Sequence, residues 1–175
     1  MVILYVIIGL IILILLAGLV VKKDFGLVRE ISIDKPKQIV FDYLKLLKNQ
    51  DNFSVWAGKD PNMKKEYKGI DGTVGFVSAW ESNMKDVGAG EQEILKIAEG
   101  EKIDYELRFL KPMKATNYAF ITTETISENQ TNVKWGFNGK MAYPMNLMLL
   151  FMNMEKMLSK DFEDGLAKLK TILEK

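Results

Sequence analysis

Hydrophobic and polar positions divide the chain at residue 21. Val2 to Val21 carries no charge and has no polar face, so it does not read as an amphipathic core helix. At a rise of ~1.5 Å per residue this run spans roughly 30 Å, the thickness of a bilayer's hydrocarbon core. A cleavable signal peptide is the rival reading. It calls for a basic n-region, a shorter apolar stretch and a small-x-small cleavage site. Here Val2 follows Met1 directly, and Leu15-Leu16-Ala17 has a large residue where a small one is needed. The expectation is an uncleaved single-pass transmembrane helix within residues 1–23, followed by one domain over 24–175.

Beyond the run the pattern changes period. Leu27 to Ile33 alternates as a strand, and Asp34-Lys35-Pro36 marks a helix start with Asp34 as its cap. Ile39, Val40, Tyr43, Leu44 and Leu47 then recur at three-and-four spacing. Asn49 to Trp56 forms a second short helix or turn, broken by Gly58 and Asp60-Pro61. Six strand-like segments follow, near 64–69, 74–81, 90–98, 102–110, 115–126 and 132–141. The turns between them are short, which implies antiparallel pairing. Ile103, Tyr105, Leu107 and Phe109 share one face, opposite Asp104, Glu106 and Arg108. Val133, Trp135, Phe137 and Met141 likewise oppose Lys134, Asn138 and Lys140, so the sheet has one covered and one wet face. From Pro144 to Lys175 the apolar spacing predicts a single long helix as the cover. The fold class is α+β, a curved antiparallel sheet of about seven strands around a terminal helix.

Composition sharpens this picture. The 48% hydrophobic content averages an apolar run with a remainder of ordinary soluble composition. With 24 basic and 23 acidic residues the net charge is +1, and the lysines form no stripe, so nucleic acid is not an expected partner. Lys22, Lys23, Arg29, Lys35 and Lys37 follow the apolar run, and the positive-inside rule then favours a cytoplasmic domain. An exported domain behind a short anchor is the other topology. Oligomeric state is not legible.

Histidine and cysteine are absent. That excludes a Ser-His-Asp or Cys-His nucleophile system and a His/Cys zinc site; no metal or cofactor is expected. Acid–base chemistry would fall to a carboxylate, lysine or tyrosine with a shifted pKa. Glu91 and Glu93 share a strand face at roughly 6.5–7 Å. Facing an apolar cavity they would raise one another's pKa; facing solvent they are ordinary charges. Glu81 and Arg108 are further polar candidates. Six methionines crowd residues 141–157, and the helix start is apolar on more than one face through Leu147, Met148, Leu149, Leu150, Phe151 and Met152. Such a surplus must face a cavity, a membrane surface or a partner, or else fill core space.

The order of motifs resembles the START-like helix-grip superfamily, in particular its polyketide cyclase/dehydrase and lipid-transport branch (SRPBCC proteins). Ile31-Ser32-Ile33-Asp34-Lys35-Pro36 with Val40-Phe41-Asp42-Tyr43 looks like its opening strand and helix. Trp56, Lys59-Asp60-Pro61 and Gly72-Thr73-Val74-Gly75 look like its second helix and following turn. Trp80-Glu81-Ser82-Asn83, Val87 to Ile94 and Thr131 to Trp135 resemble its central hairpin and penultimate strand. The resemblance implies a cavity between sheet and terminal helix for a lipid or other hydrophobic small molecule. Lining candidates are Trp56, Trp80, Tyr105, Phe109, Tyr118 and Phe120, then Trp135, Phe137, Met141, Met148 and Met152. The superfold hosts several functions. A membrane-anchored binding domain, a protein-interaction or stress-related module without ligand, and a cyclase- or dehydratase-like enzyme using a perturbed carboxylate all stay open.

Overall fold

The computed structural model describes residues 1–175. Helix α1 (Val2–Val20) precedes β1 (Asp24–Ile33), α2 (Lys37–Lys45), α3 (Gln50–Phe53) and α4 (Val55–Lys59). Strands β2 (Lys64–Lys68), β3 (Val77–Glu81), β4 (Ala89–Ala98), β5 (Lys102–Lys111), β6 (Ala115–Ser127) and β7 (Gln130–Lys140) follow, then α5 (Met154–Leu173). The seven strands form one sheet in the order β1-β7-β6-β5-β4-β3-β2, antiparallel throughout. Helix α5 lies across the concave face as the grip, with α2, α3 and α4 beside it.

Alternation assigns the faces as expected. Ile103, Tyr105, Ile121, Val133 and Trp135 are buried on the concave side. Register then divides that side into two halves. Ile103 pairs with Ile121, and these pack with Ile33, Val40, Phe41, Leu44, Leu166 and Leu169 into a closed core beneath α2 and the second half of α5. Phe137, paired with Leu27 and Ala119, and Phe109, paired with Gly90, occupy the other end of the sheet. That end lies nearer α1, because Asp24 at the start of β1 pairs with Lys140 at the end of β7.

Two predicted features differ. Residues 144–175 are not one helix: Met145–Leu150 is a 3-10 turn, the chain breaks at Phe151–Asn153, and α5 begins at Met154. Asn153 makes the break. Its extended backbone leaves the helix, and its side-chain oxygen accepts from the Lys156 amide at 2.9 Å, an N-cap that outweighs the apolar periodicity. Asp34 does not cap α2, whose N-cap is Pro36. Its carboxylate accepts from Gln130 Nε2 at 2.7 Å, which ties the turn after β1 to the start of β7.

Gly165 has a packing cause. A Cβ there would stand 2.9 Å from the Trp135 ring and 3.3 Å from the Phe53 carbonyl. The absent side chain lets α5 settle onto the sheet, which offsets the ~1 kcal/mol helix penalty of glycine.

Candidate functional site

The half of the concave side nearer α1 is not filled. A cavity of about 250 Å³ lies between the sheet, the first half of α5, and α3–α4. The sheet supplies Ser78 and Trp80 from β3, Gln92 from β4, Leu107 and Phe109 from β5, Ala119 from β6, and Trp135 and Phe137 from β7. Helix α5 adds Leu158 and Phe162, and the short helices add Gln50, Asp51, Trp56 and Ala57. All three tryptophans of the chain line it.

Aromatic packing shapes the walls. The Phe162 ring sits 4.5 Å from Trp135 and 5.5 Å from Trp56, the latter edge-on. Trp80 and Phe109 meet edge-to-face at 5.8 Å on the opposite wall. Such contacts are worth ~0.5–1.5 kcal/mol each beyond area burial and fix ring orientation. Gly90 makes the second wall possible, since a Cβ there would lie 2.6 Å from the Trp80 ring. Trp80 Nε1 donates to the Val87 carbonyl at 3.3 Å, which holds the indole in place.

Most of the polar groups gather between α3 and strands β2 to β4. Gln92 Nε2 donates to Gln50 Oε1 at 3.0 Å across the gap between sheet and α3. Asp51 is ion-paired to Lys65 and accepts from the Tyr67 hydroxyl at 2.7 Å. Burial, reinforced by that hydrogen bond and the Asp51 charge, pushes the Tyr67 phenol up to about 12. Tyr67 is therefore a neutral donor at physiological pH. Asp51 and Lys65 are committed to each other, and Asp86 at the lining lies 3.8 Å from Lys59; Gln50, Gln92, Ser54 and Ser78 are the uncharged groups placed to orient a guest. Nowhere do three or more acidic side chains converge to hold a metal ion.

Of the residues singled out in the sequence, Trp56, Trp80, Phe109, Trp135 and Phe137 come together at the cavity. The others lie elsewhere. Tyr105 is fully buried in the packed half, where burial raises its phenol pKa. Tyr118 is half-exposed on the convex face, and Phe120 lies on that face over Gly136, with Lys102 Nζ 5.1 Å from its ring. Met141 follows the end of β7, and Met148 and Met152 lie in the turn before α5. Glu81 pairs with Lys111 at 2.7 Å on the surface, which lowers its pKa.

Glu91 and Glu93 point away from the cavity, on the face opposite Gln92. Arg108 gathers both, at 3.0 and 2.7 Å, together with Glu106 at 2.7 Å. An arginine among three carboxylates is a convex-face charge network, not an acid–base pair. Sequence reasoning missed Gln50, Asp51, Ser54, Ser78, Gln92, Leu158 and Phe162. Leu158 and Phe162 carried a usable signal, four apart on the inward stripe of α5; the short helices have no period to read.

An antiparallel sheet gripping a long helix around an internal cavity defines a helix-grip protein. No protein-family model matches the chain, and no curated protein matches it. Solved structures share its fold. Norcoclaurine synthase from Thalictrum flavum, in complex with dopamine and hydroxybenzaldehyde, is 10% identical with a TM-score of 0.64, covering 90% of this chain and 91% of its own. The major latex-like protein 151 of Panax ginseng is 12% identical, with a TM-score of 0.60 and coverage of 85% and 97%. The Aha1 dimer from Colwellia psychrerythraea is 16% identical, with a TM-score of 0.55 and coverage of 86% and 96%.

Proposed function

We propose that the chain is a membrane-anchored binding domain that holds a compact hydrophobic or amphipathic small molecule in the cavity under α5. The carrying observation is the cavity itself, with 13 hydrophobic residues among the 20 that line it and a polar minority mostly between α3 and strands β2 to β4. This division of labour, apolar burial for affinity and a few convergent polar groups for orientation, is that of small-molecule sites. At about 250 Å³ the space lies just below the usual ~300–1,000 Å³, which selects a small or slender guest. Norcoclaurine synthase, of the same fold, carries two small molecules in its complex.

Helix α1 supports the anchor: 19 residues, mean hydropathy 3.2, almost wholly exposed. With α1 in a bilayer, the cavity half of the sheet is the half nearer the lipid, where apolar guests concentrate. Residues 1–23 then form the anchor and 24–175 the binding domain. The positive-inside rule applied to Lys22 and Lys23 favours the cytoplasmic side for that domain.

The test is recovery of the guest. The full chain, purified from its own cells into nanodiscs, is extracted with solvent and its small molecules are identified by mass spectrometry. A recurring species near one per chain, absent when the cavity is filled by substitution, is the expected result. Repeated recovery with nothing bound refutes ligand carriage. A reporter fused after Lys175 that works only in the exported compartment refutes the topology.

A further inference from the structure

The turn before α5 is tied to α1 in a way the cavity does not require. Gly18, in the last turn of α1, is buried. Leu147 and Tyr143 lie against it, each 3.1 Å from where a Cβ would stand. Asn146, wholly buried, donates from Nδ2 to the carbonyls of Gly18 at 2.8 Å and Val21 at 3.0 Å. Carbonyls at a helix end lack intrahelical partners. Away from water each costs several kcal/mol unless paired; Asn146 pairs two of them, while its own buried Oδ1 has no partner.

The outer surface of the same turn is apolar. Phe151 is 89% exposed and Leu150 59%, with Met145 and Met148 also exposed. Leu149 to Met152 line an open groove with Val20, Val21 and Phe25, which Lys22, Asp24, Asn153 and Glu155 also line. A contiguous patch of this kind is a liability in water and marks a contact surface.

We infer that Tyr143 to Met152 is a second membrane-contacting element, an apolar turn lying in the phospholipid interface beside the point where α1 leaves the bilayer. The inference rests on the anchor reading above. Depth carries it. Gly18 lies three residues before the end of the apolar run at Val21, about 4.5 Å along the helix axis at ~1.5 Å per residue. Side chains packed on Gly18 therefore sit at the edge of the hydrocarbon. Tyr143 takes the position favoured by interfacial aromatics, and Lys22 and Lys23 come at headgroup level just beyond. The Asn146, Leu147 and Tyr143 contacts fix the domain against the end of α1, so its tilt follows that of the helix. A second contact with the bilayer fixes that shared tilt and holds the cavity half toward the lipid.

The absence of cysteine makes the test direct, since any introduced cysteine is a unique labelling site. Phe151→Cys, Leu150→Cys, Ile70→Cys and Ile11→Cys variants of the full chain carry an environment-sensitive dye in phosphatidylcholine/phosphatidylglycerol nanodiscs containing one copy. Ile70 is 76% exposed on the domain and serves as the water reference; Ile11 reports the span. Blue-shifted emission at 151 and 150, quenched several-fold more by interface-located lipid quenchers than at 70, is expected. Water-like emission at both with a lipid-embedded Ile11 label overturns the inference and leaves the anchor standing. A water-like Ile11 label removes the anchor and the inference with it. Blue emission at 151 that lipid quenchers do not touch, appearing only with two copies per disc, assigns the patch to a second copy and also overturns the inference. Native tryptophan fluorescence confirms that each variant is folded, and two label positions guard against the loss of one.

Discussion

Filling the cavity from its floor gives opposite signs for a real void and for a packed core. Ala119 sits at the centre of the floor, 6% exposed, paired with Tyr105 on one side and Phe137 on the other. Ala119→Leu adds three carbons. If they enter empty space they are removed from water at ~0.8 kcal/mol each, a gain of up to ~2.4 kcal/mol. For a domain of this size that is a rise of roughly 5–10 °C in Tm. If the space is already occupied by side chains, the same change overpacks the core and costs ~1–3 kcal/mol. Ala167→Leu, on the exposed side of α5, is the control and should stay within ~0.5 kcal/mol of the parent.

The cavity also bounds affinity. At ~24 cal/mol per Å³ of unfilled volume, 250 Å³ corresponds to ~6 kcal/mol of packing that a well-fitted guest can recover. That sets an affinity between millimolar and micromolar before polar contacts are counted. Because all three tryptophans line the site, their fluorescence reports both unfolding and occupancy, and energy transfer to bound anilinonaphthalene sulfonate measures filling. Ala119→Leu should raise the urea midpoint and abolish the transfer. A lowered midpoint with undiminished transfer would refute the cavity as the binding site.

Three further outcomes follow from the contacts. Asp51→Asn should let the Tyr67 phenol ionise below its present value of about 12, though burial, the larger cause, keeps it above 10; ultraviolet titration of the phenolate checks this. Because the folded-state value is raised, Tyr67 contributes stability that is complete below pH 10 and lost as pH rises through about 12, so the variant should show a shallower alkaline loss. Arg108→Met leaves Glu91, Glu93 and Glu106 facing one another at the surface and should cost about 1 kcal/mol at neutral pH. That deficit should shrink in high salt, which denaturant titrations at several ionic strengths will show. Gly165→Ala gains ~1 kcal/mol of helix propensity but drives a methyl to 2.9 Å from Trp135, at ~1–3 kcal/mol of overpacking, for a net loss of roughly 0–2 kcal/mol and a shifted tryptophan emission maximum.

Strand faces were legible in the sequence because period-two alternation is a direct image of the pleat; Ile103, Tyr105, Leu107 and Phe109 do share the concave side. Depth along that face was not. Tyr105 and Phe109 are equivalent in pattern, yet one lies in a closed core and the other on a void. The difference comes from what covers them: the stripe of Leu166 and Leu169 with α2 above the first, and the short α3–α4 segment, with no period of its own, above the second. Gln92 and Gln50 were invisible for the same reason, since a polar residue on a covered face matters only when its partner is known. The apolar surplus before α5 was legible as a surplus and misleading as a helix. Asn153 ends the periodicity and Asn146 commits its side chain to the end of α1, so two asparagines in an otherwise apolar stretch separate the part of the segment that grips the sheet from the part held against α1. A pattern of hydrophobic positions records that a surface is covered, and only the polar residues that interrupt it record by what.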